Sequence, residues 1–158
     1  MTPAARFITT VSDGTEKRMS EALNFHFDVD GENFTSAGQA SVQVKKLLRQ
    51  LGVPAETIRR VSVAMYEGEI NMVIHAYGGK ADVNVYEDRV EIILDDKGPG
   101  IADVNLAMQE GYSTATDNIR SLGFGAGMGL PNMKRYSDSM DIKTQVGVGT
   151  CITMVVRF

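Results

Sequence analysis

Two glycine-rich turns constrain this chain more than anything else in it. LDDKGPG occupies residues 94–100 and GFGAGMGLPN occupies 123–132, and the stretch between them has no hydrophobic period. Glycine has no Cβ and tolerates positive φ, so Gly98, Gly100, Gly123, Gly125, Gly127 and Gly129 let backbone approach a ligand and offer it N–H groups. Such groups suit phosphate. Asp95 and Asp96 directly follow the apolar-rich strand candidate Val90–Leu94, which puts a carboxylate at a strand end beside the first turn. A carboxylate accepts a hydrogen bond from a base amino group but repels phosphate. One side of the site thus reads as built for a base and the other for phosphates. A helix predicted over Leu130–Tyr136 opens straight after the second turn, presenting its free N–H groups there, with Lys134 and Arg135 late in it.

The rest of the composition bounds this reading. A chain of 158 residues, 43% hydrophobic and 23% charged, is one globular domain with enough apolar residues for a real core. The formal charge of −4 argues against a partner recognised through a phosphate backbone or an anionic membrane, which needs concentrated Lys and Arg. Nucleic acid and membrane are therefore not expected partners; proteins and nucleotides are. Cys151 stands alone, so no intrachain disulfide and no all-cysteine metal site can form, and apolar filler in a strand is its expected role. The opening MTPAARFITT does not read as a signal peptide and no apolar run reaches membrane-spanning length, which predicts a cytoplasmic protein.

In chain order, residues 1–22 lack periodicity and are expected to form a loose arm, leaving 23–158 as the folded domain. Leu23, Phe25, Phe27 and Val29 alternate with polar residues, the period of a half-buried strand with His26 on its polar face. Apolar positions from Phe34 to Leu51 recur at helical spacing and predict a first helix over Thr35–Leu51, stopped by Gly52. Pro54 opens a second helix that runs towards Tyr77 before Gly78-Gly79. Ala81–Tyr86 and Arg89–Leu94 predict a hairpin turning at Glu87-Asp88. A short helix is expected over Ile101–Gln109, then a polar irregular segment, Glu110–Gly125, of the kind that forms a lid or binding loop. Asp141–Gln145 and Thr150–Phe158 predict a closing hairpin through Gly147-Val148-Gly149.

On the second helix Glu67 and Asn71 are four residues apart and share a face, from which Glu69 points away. The Asn oxygen is a hard ligand suited to Mg²⁺, and the Glu can orient or deprotonate an attacking group. A solvated face with an ordinary polar pair is the competing reading of the same spacing. His75, one turn further on, is expected to serve packing or capping. Gly68 between them costs about 1 kcal/mol relative to Ala in mid-helix, and close packing is the only reason the sequence offers.

GFGAGMG is preceded by DNIRSL rather than a strand, so it is not the dinucleotide-binding fingerprint, and no GK[ST], HRD or DFG is present. Together, however, Glu67-x-x-x-Asn71, Asp96-x-Gly98-x-Gly100, Gly125-x-Gly127-x-Gly129 and Gly149-Thr150 resemble the four nucleotide-binding boxes of the GHKL superfamily of gyrase, heat-shock-chaperone, histidine-kinase and MutL ATPases. DDKGPGI, EGYST and GAGMGLPNMKRYSD make the chain most similar, from about Leu23 to Phe158, to the anti-sigma-factor serine/threonine kinases of bacterial stress-response partner-switching modules.

That resemblance implies a Bergerat-type ATP-binding fold: an α/β sandwich, with a mixed β-sheet and helices layered on one face. It implies ATP/ADP and Mg²⁺ as cofactors, Glu67 as general base, Asn71 as the Mg²⁺ ligand, Asp96 on the adenine amino group and Thr150 supporting the same base. Gly98 and Gly100 would shape the adenine pocket, while Gly123, Gly125, Ala126, Gly127, Met128, Gly129 and Leu130 would hold phosphates. Many of these kinases have an Arg at the position of Gly125 that reaches the γ-phosphate; this chain has none there, and Arg120 or Lys134 are the candidate replacements. The implied activity is phosphoryl transfer to a STAS-domain anti-sigma-antagonist. A sigma factor, a PP2C-type phosphatase and a second copy of the chain are further implied partners. The alternative function is a nucleotide-gated binding protein with little turnover.

Overall fold

The computed structural model describes residues 4–6, 10–12, 15–17, 22–113, 115, 117 and 128–158. Three short strands come first: β1 (Ala4–Arg6), β2 (Thr10–Ser12) and β3 (Thr15–Lys17). β2 and β3 pair with each other, and β1 pairs antiparallel with the first half of β4 (Ala22–Asp30). β4 has the expected period of two, burying Phe25, Phe27 and Val29 and exposing His26 and Asp28. His26 Nδ1 lies 2.8 Å from Asp82 Oδ1 on the next strand, a hydrogen bond that raises the imidazole pKa.

The helix predicted over Thr35–Leu51 is two pieces. Asn33 Oδ1 accepts from the N–H groups of Thr35 and Ser36 and caps a 3₁₀ turn over Phe34–Ser36. Gly38 then takes φ 94° and α1 (Gln39–Gln50) starts after it. A side-chain cap and a left-handed glycine outcompete the apolar periodicity here. α2 (Ala55–Ala76) follows Pro54 as expected and stops at Tyr77, itself left-handed at φ 59°.

β5 (Gly78–Val85) and β6 (Arg89–Asp96) form the predicted hairpin, closed by Val85 opposite Val90 and by Tyr86 N–H donating to Arg89 C=O at 2.9 Å. α3 (Val104–Ala107) is a single turn capped by Asp103 rather than the longer helix expected over Ile101–Gln109, because the chain turns again at Gln109–Tyr112. α4 (Gly129–Arg135), β7 (Ser139–Gln145) and β8 (Gly149–Arg157) complete the described elements.

The sheet runs β1-β4-β5-β6-β8-β7, with helices on one face as the α/β sandwich requires. Every pairing among the described residues is antiparallel, where a mixed sheet was expected. The reason lies in the crossover: one helix between β4 and β5 would return the chain parallel, whereas α1 and α2 together return it antiparallel. Ile92, Met154 and Val156 from the sheet meet Leu48, Val61 and Met133 from the helices, all of them sealed from solvent.

Gly68 is explained by this packing. A Cβ there would run into the Leu94 side chain and come within 3.0 Å of Met133 Cε, so the missing methyl lets α2 approach both β6 and α4. Its neighbour Glu69 is buried, 2% exposed, and caps a different helix from the side. Glu69 Oε1 accepts from the N–H groups of Gly38 (2.9 Å) and Ala40 (3.1 Å); Oε2 accepts from Ser41 N–H (3.1 Å) and Ser41 Oγ (2.7 Å). The carboxylate thus satisfies orphan donors at the α1 N-terminus, where the helix dipole favours negative charge.

Candidate nucleotide site

A cleft of about 590 Å³ opens between α2, the loop after β6, the start of α4 and the start of β8. That volume falls within the range of small-molecule sites, about 300–1,000 Å³. Glu67, Asn71, Asp96, Gly100, Met128, Gly129, Leu130 and Thr150 all line it, so the structure gathers these predicted residues around one space. Gly98 lies just behind, packed so that a Cβ would sit 2.6 Å from that of Ala76. Gly123, Gly125, Ala126 and Gly127 lie outside the described residues, as do Arg120 and much of the expected lid over 110–125. Lys134 is exposed and does not line the cleft.

At one end, Asp96 Oδ1 accepts from Gly98 N–H (2.9 Å) and Thr150 N–H (3.2 Å). Two strand ends and a glycine turn thereby fix the carboxylate, and among the described residues nothing donates to Oδ2. Partial burial raises the Asp96 pKa; the two backbone N–H bonds pull the other way and the charge of Asp95 adds to the rise. The group is therefore an oriented acceptor whose negative charge is only partly compensated by the protein. Thr150 is buried, and its hydroxyl lies 2.9 Å from that of Thr144. Gly100, at φ 77°, passes so close to Gln145 that a Cβ would sit 2.4 Å from its carbonyl oxygen, and Gly147 N–H donates to Pro99 C=O at 2.8 Å. The β7–β8 turn and the loop after β6 are stapled together beneath this end.

At the other end, Glu67 and Asn71 project into the cleft one helical turn apart. Asn132 Nδ2 donates to Glu67 Oε1 at 3.2 Å, and Asn71 Nδ2 faces the Met133 sulfur at 3.9 Å. Glu67 Oε2 and Asn71 Oδ1 are left without a donor among the described residues. A Cβ on Gly129 would stand 2.8 Å from both Nδ2 and Oδ1 of Asn71, so only glycine lets the α4 start come this near the amide. His75 lines the cleft further along α2, and burial lowers its pKa, leaving it neutral at pH 7. Sequence reasoning missed Asn132 and Thr144: an amide on a short helix and a hydroxyl on an edge strand give no signal until the fold sets them beside Glu67 and Thr150.

Residues 33–156 match the Histidine kinase-like ATPase domain family. The chain belongs to that family. Within it the relatives are regulatory kinases and anti-sigma factors: the chain is 30% identical to an anti-sigma F factor of Clostridium beijerinckii over 125 residues, 75% of this chain and 84% of that protein. It is also 30% identical to the serine/threonine-protein kinase RsbT of Bacillus subtilis over 115 residues, 70% of this chain and 80% of that one. These matches identify it as an anti-sigma-factor kinase-type member of the GHKL group. A crystal structure of the RsbU and RsbW domains of a Mycobacterium tuberculosis protein shares the fold, with a TM-score of 0.58 at 17% identity over 85% of this chain and 32% of that one. Nucleotide use comes with the family, and the cleft has the volume of a small-molecule site. No helix among the described residues is long and apolar enough to cross a membrane.

A second hollow, of about 280 Å³, lies between β4 and α1 over Glu69. Its one buried ionisable group already accepts four hydrogen bonds from α1 and the turn before it, so no buried group there is free for a ligand.

Proposed function

We propose that the protein is a serine/threonine kinase of a partner-switching module, transferring the γ-phosphoryl group of Mg-ATP to a Ser or Thr of a STAS-domain anti-sigma-antagonist. One observation carries this reading: a single cleft holds an oriented carboxylate, Asp96, one oxygen of which has no donor among the described residues, at one end and the Glu67–Asn71 pair at the other. Asp96 Oδ2 accepts from the exocyclic amino group of adenine, with Thr150 beside it. Gly129 and Leu130, together with Gly123, Gly125, Ala126, Gly127 and Met128, supply backbone to the phosphates.

The residues present fit a divalent cation. Asn71 offers one hard oxygen, and its amide nitrogen is turned to Met133, which suits an ion held otherwise by phosphate and water. Among the described residues lining the cleft there is no Lys or Arg, so a polyphosphate there needs a counter-charge. When bound, Mg²⁺ would neutralise charge on the phosphoryl oxygens. Glu67 does the proton work: Asn132 holds Oε1, and Oε2 takes the proton of the incoming hydroxyl as its oxygen bonds to the γ-phosphorus and the bond to ADP breaks.

The experiment is phosphate transfer from labelled ATP to a STAS-domain protein captured from host lysate, by wild type, Glu67→Gln and Asn71→Ala. Glu67→Gln should bind ATP normally and transfer roughly 10²–10⁴-fold more slowly, the usual range for a lost general base. Asn71→Ala should lose Mg-ATP binding and transfer together. A Glu67→Gln protein working at the wild-type rate removes Glu67 from the chemistry. The anti-sigma F factor relatives favour a second reading, capture of a sigma factor gated by nucleotide. In that case Glu67→Gln leaves capture and release intact, because no proton moves.

A further inference from the structure

We infer that Thr144, on the edge strand β7, sets the hydrogen-bond polarity of the base pocket by holding Thr150 as an acceptor towards the ligand. This rests on the nucleotide reading of the cleft. Thr144 does not line the cleft, so it acts through Thr150 as a positioning residue.

The inference follows from counting protons. Thr144 Oγ1 accepts from Ile101 N–H at 2.9 Å and donates its one proton to Gly149 C=O at 3.3 Å. It also lies 2.9 Å from Thr150 Oγ1. A hydroxyl has one proton and two lone pairs. With the Thr144 proton spent on Gly149, the bond between the two threonines is filled by the Thr150 proton, which points away from the cleft. Thr150 is buried and lines the cleft, so what it shows the ligand is a lone pair. Asp96 Oδ2, beside it, is likewise an acceptor. Two adjacent acceptors demand donors, directly or through a water. An adenine amino group supplies two N–H; a 6-keto purine such as hypoxanthine puts a carbonyl there and meets repulsion. Thr144 thus makes the pocket select a 6-amino purine at a position the base never touches, while tying the loop after β6 to the same network through Ile101.

Removing the Thr144 hydroxyl frees the Thr150 proton to turn into the cleft and donate to a carbonyl. The test is calorimetric titration of ADP and IDP into wild type, Thr144→Val and Thr144→Ser. Wild type should prefer ADP. Thr144→Val should lower the ADP-to-IDP affinity ratio by about three- to tenfold, the value of one neutral hydrogen bond changing sense. Thr144→Ser, which keeps the hydroxyl, should restore it. In a Thr150→Ala background Thr144→Val should leave the ratio unchanged, since the group it acts through is gone. A valine variant that weakens ADP and IDP equally shows Thr144 to be only a staple for Ile101 and overturns the inference. If that variant does not fold, Thr144→Cys keeps the side-chain size with a weak acceptor and carries the same expectation. Wild type that binds neither ADP nor IDP overturns the nucleotide reading itself; wild type that binds both equally overturns the acceptor assignment at Thr150, and both results are distinct from a preference that Thr144 does not influence.

Discussion

Glu69→Gln isolates the buried cap of α1 with almost no change of shape. The wild-type carboxylate accepts four hydrogen bonds, two on each oxygen. The amide keeps one acceptor oxygen, so two bonds survive; the other two donors then face an NH₂ group that cannot accept. Hydrogen bonds to charged groups contribute about 1.5–3 kcal/mol each and are not additive, so the expected loss is about 2–4 kcal/mol. Glu69→Ala, which strands all four donors, should cost about 3–5 kcal/mol, the range for breaking one partner of a buried charged network. For a domain of this size roughly 2–4 °C of Tm accompanies each kcal/mol, so the glutamine variant should melt about 5–15 °C lower. Urea titration with an unchanged slope would place the loss in stability rather than in the extent of unfolding. Glu69 does not line the cleft, and ADP affinity of the folded glutamine protein should match wild type. A glutamine variant within about 0.5 kcal/mol of wild type, the ordinary spread of surface substitutions, would refute the claim that the charge holds α1.

Asp96→Ala should weaken ADP by roughly ten- to a hundredfold in a calorimetric titration, as removing a charged hydrogen-bond partner does; unchanged affinity would exclude Asp96 from the site. Because burial raises the Asp96 pKa, the folded protein holds that proton more tightly than the unfolded chain. Its contribution to stability is therefore present below the ordinary carboxylate pKa and lost as pH rises through the folded value, while ADP affinity should move oppositely and fall as Asp96 is protonated. Asp96→Asn, which still accepts from Gly98 and Thr150, should keep neutral-pH stability and flatten both dependences, read from melts and titrations carried from neutral pH down through the acidic range. Gly68→Ala gains about 1 kcal/mol of helix propensity and loses about 1–3 kcal/mol to overpacking against Leu94 and Met133, for a net destabilisation in urea melts.

What the sequence made legible was whatever local chemistry determines. Period-two alternation marked β4, Pro54 and Gly78 bracketed α2, and Glu87-Asp88 marked the hairpin. The carboxylate at a strand end beside a glycine turn could be placed from sequence, because those two features lie next to each other in the chain. What stayed hidden depends on partners distant in sequence. Glu69 looked like any acid on a helix; its donors lie 28–31 residues upstream. Gly68 could be linked to close packing, but its neighbours Leu94 and Met133 are set by the sheet and by α4. The break at Gly38 was outweighed by hydrophobic spacing that continues across it, and the antiparallel sense of β4 and β5 follows from how two helices share one crossover.

The cleft draws on residues 66–76, 94–113, 128–130 and 150–152, stretches scattered over more than half the length of the chain. None of them contains a binding surface alone, and the last lies on the penultimate partner in the strand order. A ligand held across all four would read out the completeness of folding, since every fragment lacking β8 also lacks the pocket floor. By mass action, nucleotide at a hundred times its Kd would add about 2.7 kcal/mol to a total that for such domains is about 5–15 kcal/mol. A protein with its nucleotide bound would then resist proteolysis longer than the empty one, because proteases act on the opened chain.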